Sequence, residues 1–223
     1  MRVCIIIPAH NEARAIAQVV TPLKKRGLDV VVVDDGSADQ SGELARNAGA
    51  EVLRNAQRAG KGESLRRGFA YALEKNYDGV VTMDGDGQHA VDDLDQFLKK
   101  VSDDPDSVVT GNRMAHVDEM PLVRRLTNRW MSFLISSLCR QKIPDTQCGY
   151  RYLSNAVLKA IRLTSSDYEI ETEVLIQASK KGFRIHSVPI QTIYRNEESK
   201  INPFKDTLRF IAYLVREMGS SSR

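Results

Sequence analysis

Apolar, mostly β-branched runs recur through the first half of the chain: Val3 to Ile7, Val30 to Val33, a short Glu51 to Leu53, Val80 to Met83, and Val108 to Thr110. Runs that are apolar at every position, rather than at alternate ones, predict strands covered on both faces, as in a mostly parallel sheet between helices. The intervening residues 12–26, 39–48, 62–75 and 91–102 mix Ala, Leu, Lys, Glu and Arg at helical spacing. In the last of these, Leu94, Phe97, Leu98 and Val101 form an i, i+3, i+4, i+7 stripe. Strands alternating with helices predict βαβ units and an α/β fold.

The pattern changes near Gly111. Residues 121–140 read as one long helix, with Leu122, Leu126, Trp130, Leu134 and Leu138 at every fourth position and Arg124, Arg125 and Arg129 between them. A polar segment from Pro144 to Arg151, helices near 155–163 and 169–181, and a strand pair around Ile185 to Tyr194 broken by Pro189 follow. A last amphipathic helix is expected over 204–218, then a disordered tail over 219–223. The expected organisation is one compact domain over 1–203, in two halves, 1–112 and 113–203.

Composition narrows the function classes. The chain has 223 residues, 42% hydrophobic and 27% charged, which suits a folded globular protein rather than a disordered one. It has no apolar stretch long enough to span a bilayer. With 32 Lys and Arg against 29 Asp and Glu, the net charge of +3 gives no reason to expect nucleic acid. Three widely spaced cysteines, Cys4, Cys139 and Cys148, form no CxxC half-site for zinc and suit a reducing compartment. A cytoplasmic location is expected, since the N-terminus lacks a secretory signal.

In open parallel sheets, ligands gather at the carboxyl ends of the strands. Three of the predicted strands end in polar residues: Pro8-Ala9-His10-Asn11-Glu12, Asp34-Asp35-Gly36-Ser37, and Asp84-Gly85-Asp86-Gly87-Gln88-His89. If the last is extended, Asp84, Asp86 and Gln88 face the same way, with Gly85 and Gly87 leaving the other side open. Two carboxylates that close repel unless a cation joins them, and a hard ion such as Mg²⁺ or Mn²⁺ that also binds a phosphate fits best. The bland alternative is an Asp/Gly-rich surface turn. Asp35-Gly36-Ser37 reads as a turn and helix cap, and its carboxylate also suits a nucleobase or ribose. Gly60-Lys61-Gly62 opens a helix and could approach phosphate through bare backbone and one ammonium group, though it is not a Walker A loop.

In order along the chain, Ile5-Ile6-Ile7-Pro8-Ala9-His10-Asn11-Glu12, Val32-Val33-Asp34-Asp35-Gly36-Ser37-Ala38-Asp39, Gly60-Lys61-Gly62, Asp84-Gly85-Asp86-Gly87-Gln88-His89, Gly111-Asn112-Arg113, Asp145-Thr146-Gln147-Cys148-Gly149-Tyr150-Arg151 and Ser199-Lys200-Ile201-Asn202-Pro203-Phe204 resemble the successive motifs of family 2 glycosyltransferases. The dolichyl/polyprenyl-phosphate mannosyltransferase-like branch matches best. The resemblance implies the GT-A fold, a Rossmann-like, mostly parallel sheet flanked by helices, with the nucleotide sugar in the first half and the acceptor in the second. It implies a nucleotide-sugar donor, GDP-mannose or a UDP-hexose, and inversion at the anomeric carbon. Pro8, Ala9, Asn11, Glu12, Asp35, Gly36, Lys61 and Asp84 would then bind the nucleotide. Asp84, Asp86 and Gln88 would hold Mg²⁺ or Mn²⁺, and Arg113 would face the phosphates.

The acceptor decides whether a base is needed. A hydroxyl must lose a proton as it attacks, whereas a lipid phosphate is already an anion and needs only cations to position it. Arg113, with Arg124 or Arg125, is expected to hold such a phosphate; Arg129 and Arg151 are further cations. The same three helix arginines could instead be a solvated helix face. Asp145, Glu169, Glu171 and Glu173 are the candidate bases, with Glu169 and Glu173 expected on the helix surface. The expected acceptor is a polyprenyl-type lipid phosphate, met by peripheral membrane contact, for which the 204–218 helix with Lys205, Arg209 and Arg216 is the candidate. The alternatives are a hydroxyl acceptor on a glycan or small molecule and, remotely, a phosphorylation-receiver-like module suggested by Asp34-Asp35.

Overall fold

The computed structural model describes residues 1–115 and 120–193. Its centre is a seven-stranded sheet in the order β3-β2-β1-β4-β6-β5-β7. The strands are β1 (Val3–Ala9), β2 (Asp29–Asp34), β3 (Glu51–Arg54), β4 (Gly79–Thr82), β5 (Val108–Asn112), β6 (Arg151–Ser154) and β7 (Ile185–Pro189). Every pairing is parallel except those of β6, which runs antiparallel to both β4 and β5. The sheet therefore continues across residue 112, and the two expected halves interleave in one domain.

Side-chain alternation along β1 sorts the core into two layers. Cys4 and Ile6 face a layer with Leu65 and Phe69 of α3 (Lys61–Glu74), Ile135 of α5 (Leu122–Cys139), Val157 of α6 (Asn155–Ala160) and Val174 and Leu175 of α7 (Glu169–Lys180). Ile5 and Ile7 face the other, with Val19, Val20 and Leu23 of α1 (Ile16–Lys25), Ala45 of α2 (Ser41–Asn47), and Phe97 and Val101 of α4 (Leu94–Asp103). Full burial of β4 and near-full burial of β1 and β2 is why those segments read as unbroken apolar runs.

Three expectations change. The segment ending at Arg151 leads into β6, a strand that four residues with polar ends could not announce. The expected pair around 185–194 is one strand, β7, parallel to β5, followed by an isolated bridge between His89 and Thr192. Pro189 is tolerated because it closes β7. The third is the long helix: α5 forms, but Leu122, Leu126 and Trp130 of its leucine-rich stripe are exposed, and it packs through Asn128, Ser132, Ile135 and Cys139. The expected 204–218 helix and 219–223 tail, and the boundary at 203, lie outside the described residues. Among the described residues no helix is long and apolar enough to cross a membrane.

Candidate active site

Because β2, β1 and β4 are adjacent and parallel, the polar segments after them open side by side on one sheet edge. The first is pinned to the second by its own polar groups. Asn11 sits at φ 55°, and its backbone N–H donates to Ser37 Oγ at 3.0 Å while its Oδ1 accepts from the Ala38 N–H at 2.9 Å. The Glu12 N–H donates to Ser41 Oγ at 2.7 Å, and the Glu12 carbonyl accepts from Ala15 and Ile16. That local turn is why α1 begins at Ile16 rather than near 12. Pro8 lies at the base of the cleft and Ala9 is buried in the sheet, its carbonyl accepting from the Asp35 N–H at 2.8 Å.

Asp34 and Asp35 are both buried. Asp34 accepts from the Ser37 N–H at 2.9 Å and lies 3.2 Å from Arg54. Asp35 accepts from Asn55 Nδ2 and the Ala59 N–H, each at 2.8 Å, and from the Gly60 N–H at 2.9 Å. Its carboxylate thus fixes the 55–60 loop as a wall of the cleft. Gly36 (φ 63°) turns beneath that loop, where an added Cβ would lie 2.7 Å from the Gln57 carbonyl carbon.

Lys61 opens α3, and its ammonium bridges two carboxylates, Asp84 Oδ1 at 2.5 Å and Glu171 Oε1 at 2.6 Å. The sequence reading offered the bare backbone of this glycine-flanked turn to a phosphate. In the structure the Ser166 carbonyl already accepts from the Gly62 N–H at 2.7 Å and the Glu63 N–H at 3.3 Å. The Gly60 N–H is likewise taken, by Asp35 at 2.9 Å. Gly62 is needed for the Ser166 contact, since a Cβ there would meet the Ser165 carbonyl oxygen at 2.4 Å. Behind Lys61, Asp84 and Glu171 the cavity is about 10 Å³, room for a water at most.

After β4 the chain turns at Gly85-Asp86 instead of extending, and Gly87 takes φ 75°. Asp84, Asp86 and Gln88 are nevertheless each half-buried, while Gly85, Gly87 and His89 are buried. Each oxygen of Asp84 has a partner: Lys61 holds one, and His89 Nε2 lies 3.2 Å from the other. Burial would raise its pKa, but the Lys61 charge and the His89 bond outweigh that and hold it well below the usual carboxylate range. Asp86 goes the other way. Burial and then the negative charge of Asp84 raise its pKa, although the Gln88 N–H donates to it at 2.9 Å. Lys61 is pushed towards losing its proton by burial, and Asp84 and Glu171 more than reverse this.

The second cluster is deeper. Arg113, just after β5, donates from Nε to Asp145 Oδ2 at 2.8 Å and from Nη2 to Oδ1 at 3.0 Å, and its backbone N–H adds a third bond at 3.1 Å. Both side chains are buried, and the guanidinium outweighs desolvation to depress the Asp145 pKa. Asp145 also accepts from the Gln147 N–H at 3.1 Å. Its geometry is that of a counter-ion rather than a base open to an acceptor. Arg151, expected among the available cations, is buried and donates to the carbonyls of Cys148, Thr146 and Glu171, tying the 146–148 segment to α7. Glu173, expected on the surface, is buried and accepts from the Thr164 N–H, Thr164 Oγ1 and the Ser165 N–H.

On α5, Arg124 and Arg125 are half-buried. Arg125 Nε and Asn128 Nδ2, i and i+3 on the helix, are buried donors without a partner among the described residues. One turn on, Ser132 Oγ meets Thr146 Oγ1 at 3.2 Å, which sets this face of α5 against the segment holding Asp145. Sequence reasoning did not single out Asn128, His89 or Gly149. A Cβ on Gly149 would lie 2.6 Å from Asp84 Oδ2, so that glycine makes room for the carboxylate. The i, i+4 spacing of Asn128 and Ser132 on one face of α5 was the one visible sign.

The donor set fits a divalent cation that arrives with a diphosphate. Among the described residues no three His, Cys, Asp or Glu side chains converge as a self-sufficient metal cage. Asp86 lies close enough to Asp84 for the two carboxylates to repel, so phosphate oxygens would have to complete the shell.

The family model described as glycosyl transferase family 2 matches residues 4–168. A UDP-N-acetylglucosamine–dolichyl-phosphate N-acetylglucosaminyltransferase of Methanococcus voltae is 32% identical over 213 residues, covering 85% of this chain and 85% of its own. An undecaprenyl-phosphate mannosyltransferase of Micrococcus luteus is 31% identical over 216 residues, covering 91% of this chain and 88% of its own. Glucosyl-3-phosphoglycerate synthase from Mycobacterium tuberculosis, solved with Mg²⁺ and UDP, matches with a TM-score of 0.73 at 22% identity, covering 98% of this chain and 79% of that one. That likeness concerns the fold, which is GT-A.

Proposed function

The chain belongs to glycosyl transferase family 2 and is a glycosyltransferase, and on that footing we propose that it moves a hexose from a nucleotide diphosphate to a polyprenyl-type lipid phosphate, with inversion. The observation that carries the acceptor reading is the state of the candidate bases. Asp145 and Glu171 are each paired to a cation and Glu173 is taken up by the 164–165 backbone, while Arg125 Nε and Asn128 Nδ2 are donors in want of an acceptor. With these three carboxylates engaged and two donors open, the site suits an attacking group that is already anionic. The relatives' names point to the same acceptor class.

In this reading Pro8, Ala9, Asn11, Glu12, Asp35 and Gly36 shape the nucleoside cleft. Asp84, Asp86 and Gln88 would hold Mg²⁺ or Mn²⁺, which supplies charge neutralisation to the departing diphosphate. Lys61 is the mobile cation: its ammonium can exchange a carboxylate for a phosphate oxygen. Arg113, fixed on Asp145, presents its remaining N–H groups, and Arg124 and Arg125 with Asn128 orient the acceptor. A phosphate oxygen attacks the anomeric carbon from the face opposite the departing diphosphate, the sugar–diphosphate bond breaks, and the nucleoside diphosphate leaves with the electron pair.

Acceptor scanning tests the reading. Transfer to polyprenyl phosphate, and none to hydroxyl acceptors, is expected; transfer to hydroxyls alone rejects it. Thermal shifts with GDP and UDP in Mn²⁺ identify the donor base, since only the matching nucleotide should stabilise strongly.

A further inference from the structure

The 55–60 loop has no helix or strand of its own, so its shape comes from the side chains that reach it. Three of its N–H groups end on Asp35, and only that of Asn55 belongs to a side chain. The buried Asn55 amide is fixed at both ends. Its Nδ2 donates to Asp35 Oδ1 at 2.8 Å and to Ser64 Oγ at 3.4 Å, while its Oδ1 accepts from Arg67 Nη1 at 2.6 Å. A guanidinium only donates and an ionised carboxylate only accepts, so the amide between them has one permitted orientation.

Arg67 is an exposed residue of α3, yet its Nη1 reaches back to the end of β3, where it donates to the Arg54 carbonyl at 2.7 Å as well as to Asn55. β3 is an edge strand. Because the Asn55 N–H bonds inward to the Asp34 carbonyl at 2.8 Å, the Arg54 carbonyl points to the side that has no neighbouring strand. Edge groups of this kind are ordinarily left to water; here one cation takes the carbonyl and the loop's first side chain together. Past Gly60 a different anchor takes over, the Ser166 carbonyl on the Gly62 and Glu63 N–H groups. Gly60 lies between the two at φ 99°, which a glycine adopts without strain. The anchors therefore act on opposite sides of one joint, Arg67 and Asn55 on the loop and Ser166 on the turn that carries Lys61.

We propose that Arg67, acting through Asn55, is a positioning residue for the nucleoside part of the donor. The relay of cation, amide and carboxylate gives the 55–60 loop the shape that receives base and ribose, and it leaves the diphosphate end of the site to Lys61 and its neighbours. The inference rests on the nucleotide-sugar reading above and is independent of the acceptor.

Calorimetry on the full chain in Mn²⁺ compares two ligands: whichever of GDP and UDP binds the wild type more tightly, and inorganic pyrophosphate, which has the charge without the nucleoside. Arg67→Met keeps the stem and removes the donors. It should melt close to the wild-type temperature, because Arg67 is exposed, weaken the nucleoside diphosphate by about fivefold or more, and leave pyrophosphate within about twofold. Arg67→Lys can remake one of the two bonds and should recover part of the loss. Asn55→Asp sets a second carboxylate against Asp35 and should weaken the nucleoside diphosphate further, by about tenfold or more. In steady state, Arg67→Met should raise the KM for donor more than it lowers kcat. Equal weakening of both ligands would make the network a plain brace of the fold, and undiminished nucleoside diphosphate binding in both Arg67→Met and Asn55→Asp would show that the donor does not use it; either result overturns the proposal. A wild type that takes up pyrophosphate but neither nucleotide rejects the nucleotide-sugar reading itself, and the inference falls with it.

Discussion

Two cation–carboxylate clusters stand at the carboxyl edge of the sheet, and they are built for different work. Arg113 and Asp145 are both buried and joined side by side through two N–H groups, with a backbone N–H completing the set. Lys61 lies nearer the surface, and its flexible stem holds one ammonium between Asp84 and Glu171 from different elements. A planar fork locked on one carboxylate cannot change partners without stranding a buried charge, whereas an ammonium with two monodentate partners can. In the proposed reaction Asp145 therefore keeps Arg113 in one place, and the Lys61 bridge is where an incoming diphosphate would displace a protein carboxylate.

The largest effect expected from this contrast is on stability at the deep pair. Asp145→Ala leaves Arg113 buried without a counter-charge and should cost about 3–5 kcal/mol in urea unfolding. Arg113→Met added to it should recover part of the loss. Lys61→Met should cost clearly less, because Asp84 and Glu171 retain some solvent, yet should weaken nucleoside diphosphate binding in calorimetry by at least about tenfold. Equal stability losses at the two sites would erase the distinction. Next in size is Glu173→Ala, which strands the Thr164 and Ser165 N–H groups and should cost about 2–3 kcal/mol. Since the neighbouring Ser166 carbonyl caps the start of α3, this variant should also loosen Lys61 and raise the KM for donor, whereas Asp145→Ala should leave donor KM nearly unaltered in the folded fraction.

The contrast also explains what could be read from the sequence. The strand-end clusters were legible because full burial makes β1, β2 and β4 unbroken apolar runs, so the polar residues after them stand out. The pairings were not, since Lys61 with Glu171 and Arg113 with Asp145 join residues 110 and 32 positions apart. β6 escaped because Arg151 reads as a surface cation, while its guanidinium is buried on carbonyls. Glu173 was misjudged for the same reason: a helical Glu looks solvated unless the loop that it caps is known. The stripe of α5 was recognised, but periodicity gives the width of an apolar face and not what covers it, and Leu122, Leu126 and Trp130 stand exposed. The Gly60-Lys61-Gly62 turn shows the converse error, a backbone that looked open and is occupied by Ser166.

The smallest expected change in stability, and the one with opposite sign, belongs to Asp86. Burial and the charge of Asp84 raise its pKa in the fold, so the folded state favours the protonated form. The stability linked to that proton is fully present below the ordinary carboxylate value, near 4, and is lost as pH rises through the higher folded value. At neutral pH the ionised Asp86 is thus a net cost to the metal-free protein. Asp86→Asn removes the charge and keeps the shape, so it should melt at a higher temperature than the wild type at pH 7 in the presence of a chelator, with the advantage vanishing as the pH is lowered past about 4. The same variant should lose more than about a hundredfold in transfer activity and fail to gain the stabilisation that Mn²⁺ with nucleoside diphosphate gives the wild type. A variant less stable at neutral pH would mean that a neighbouring group already neutralises Asp86, and the reason for placing a cation beside it would be gone.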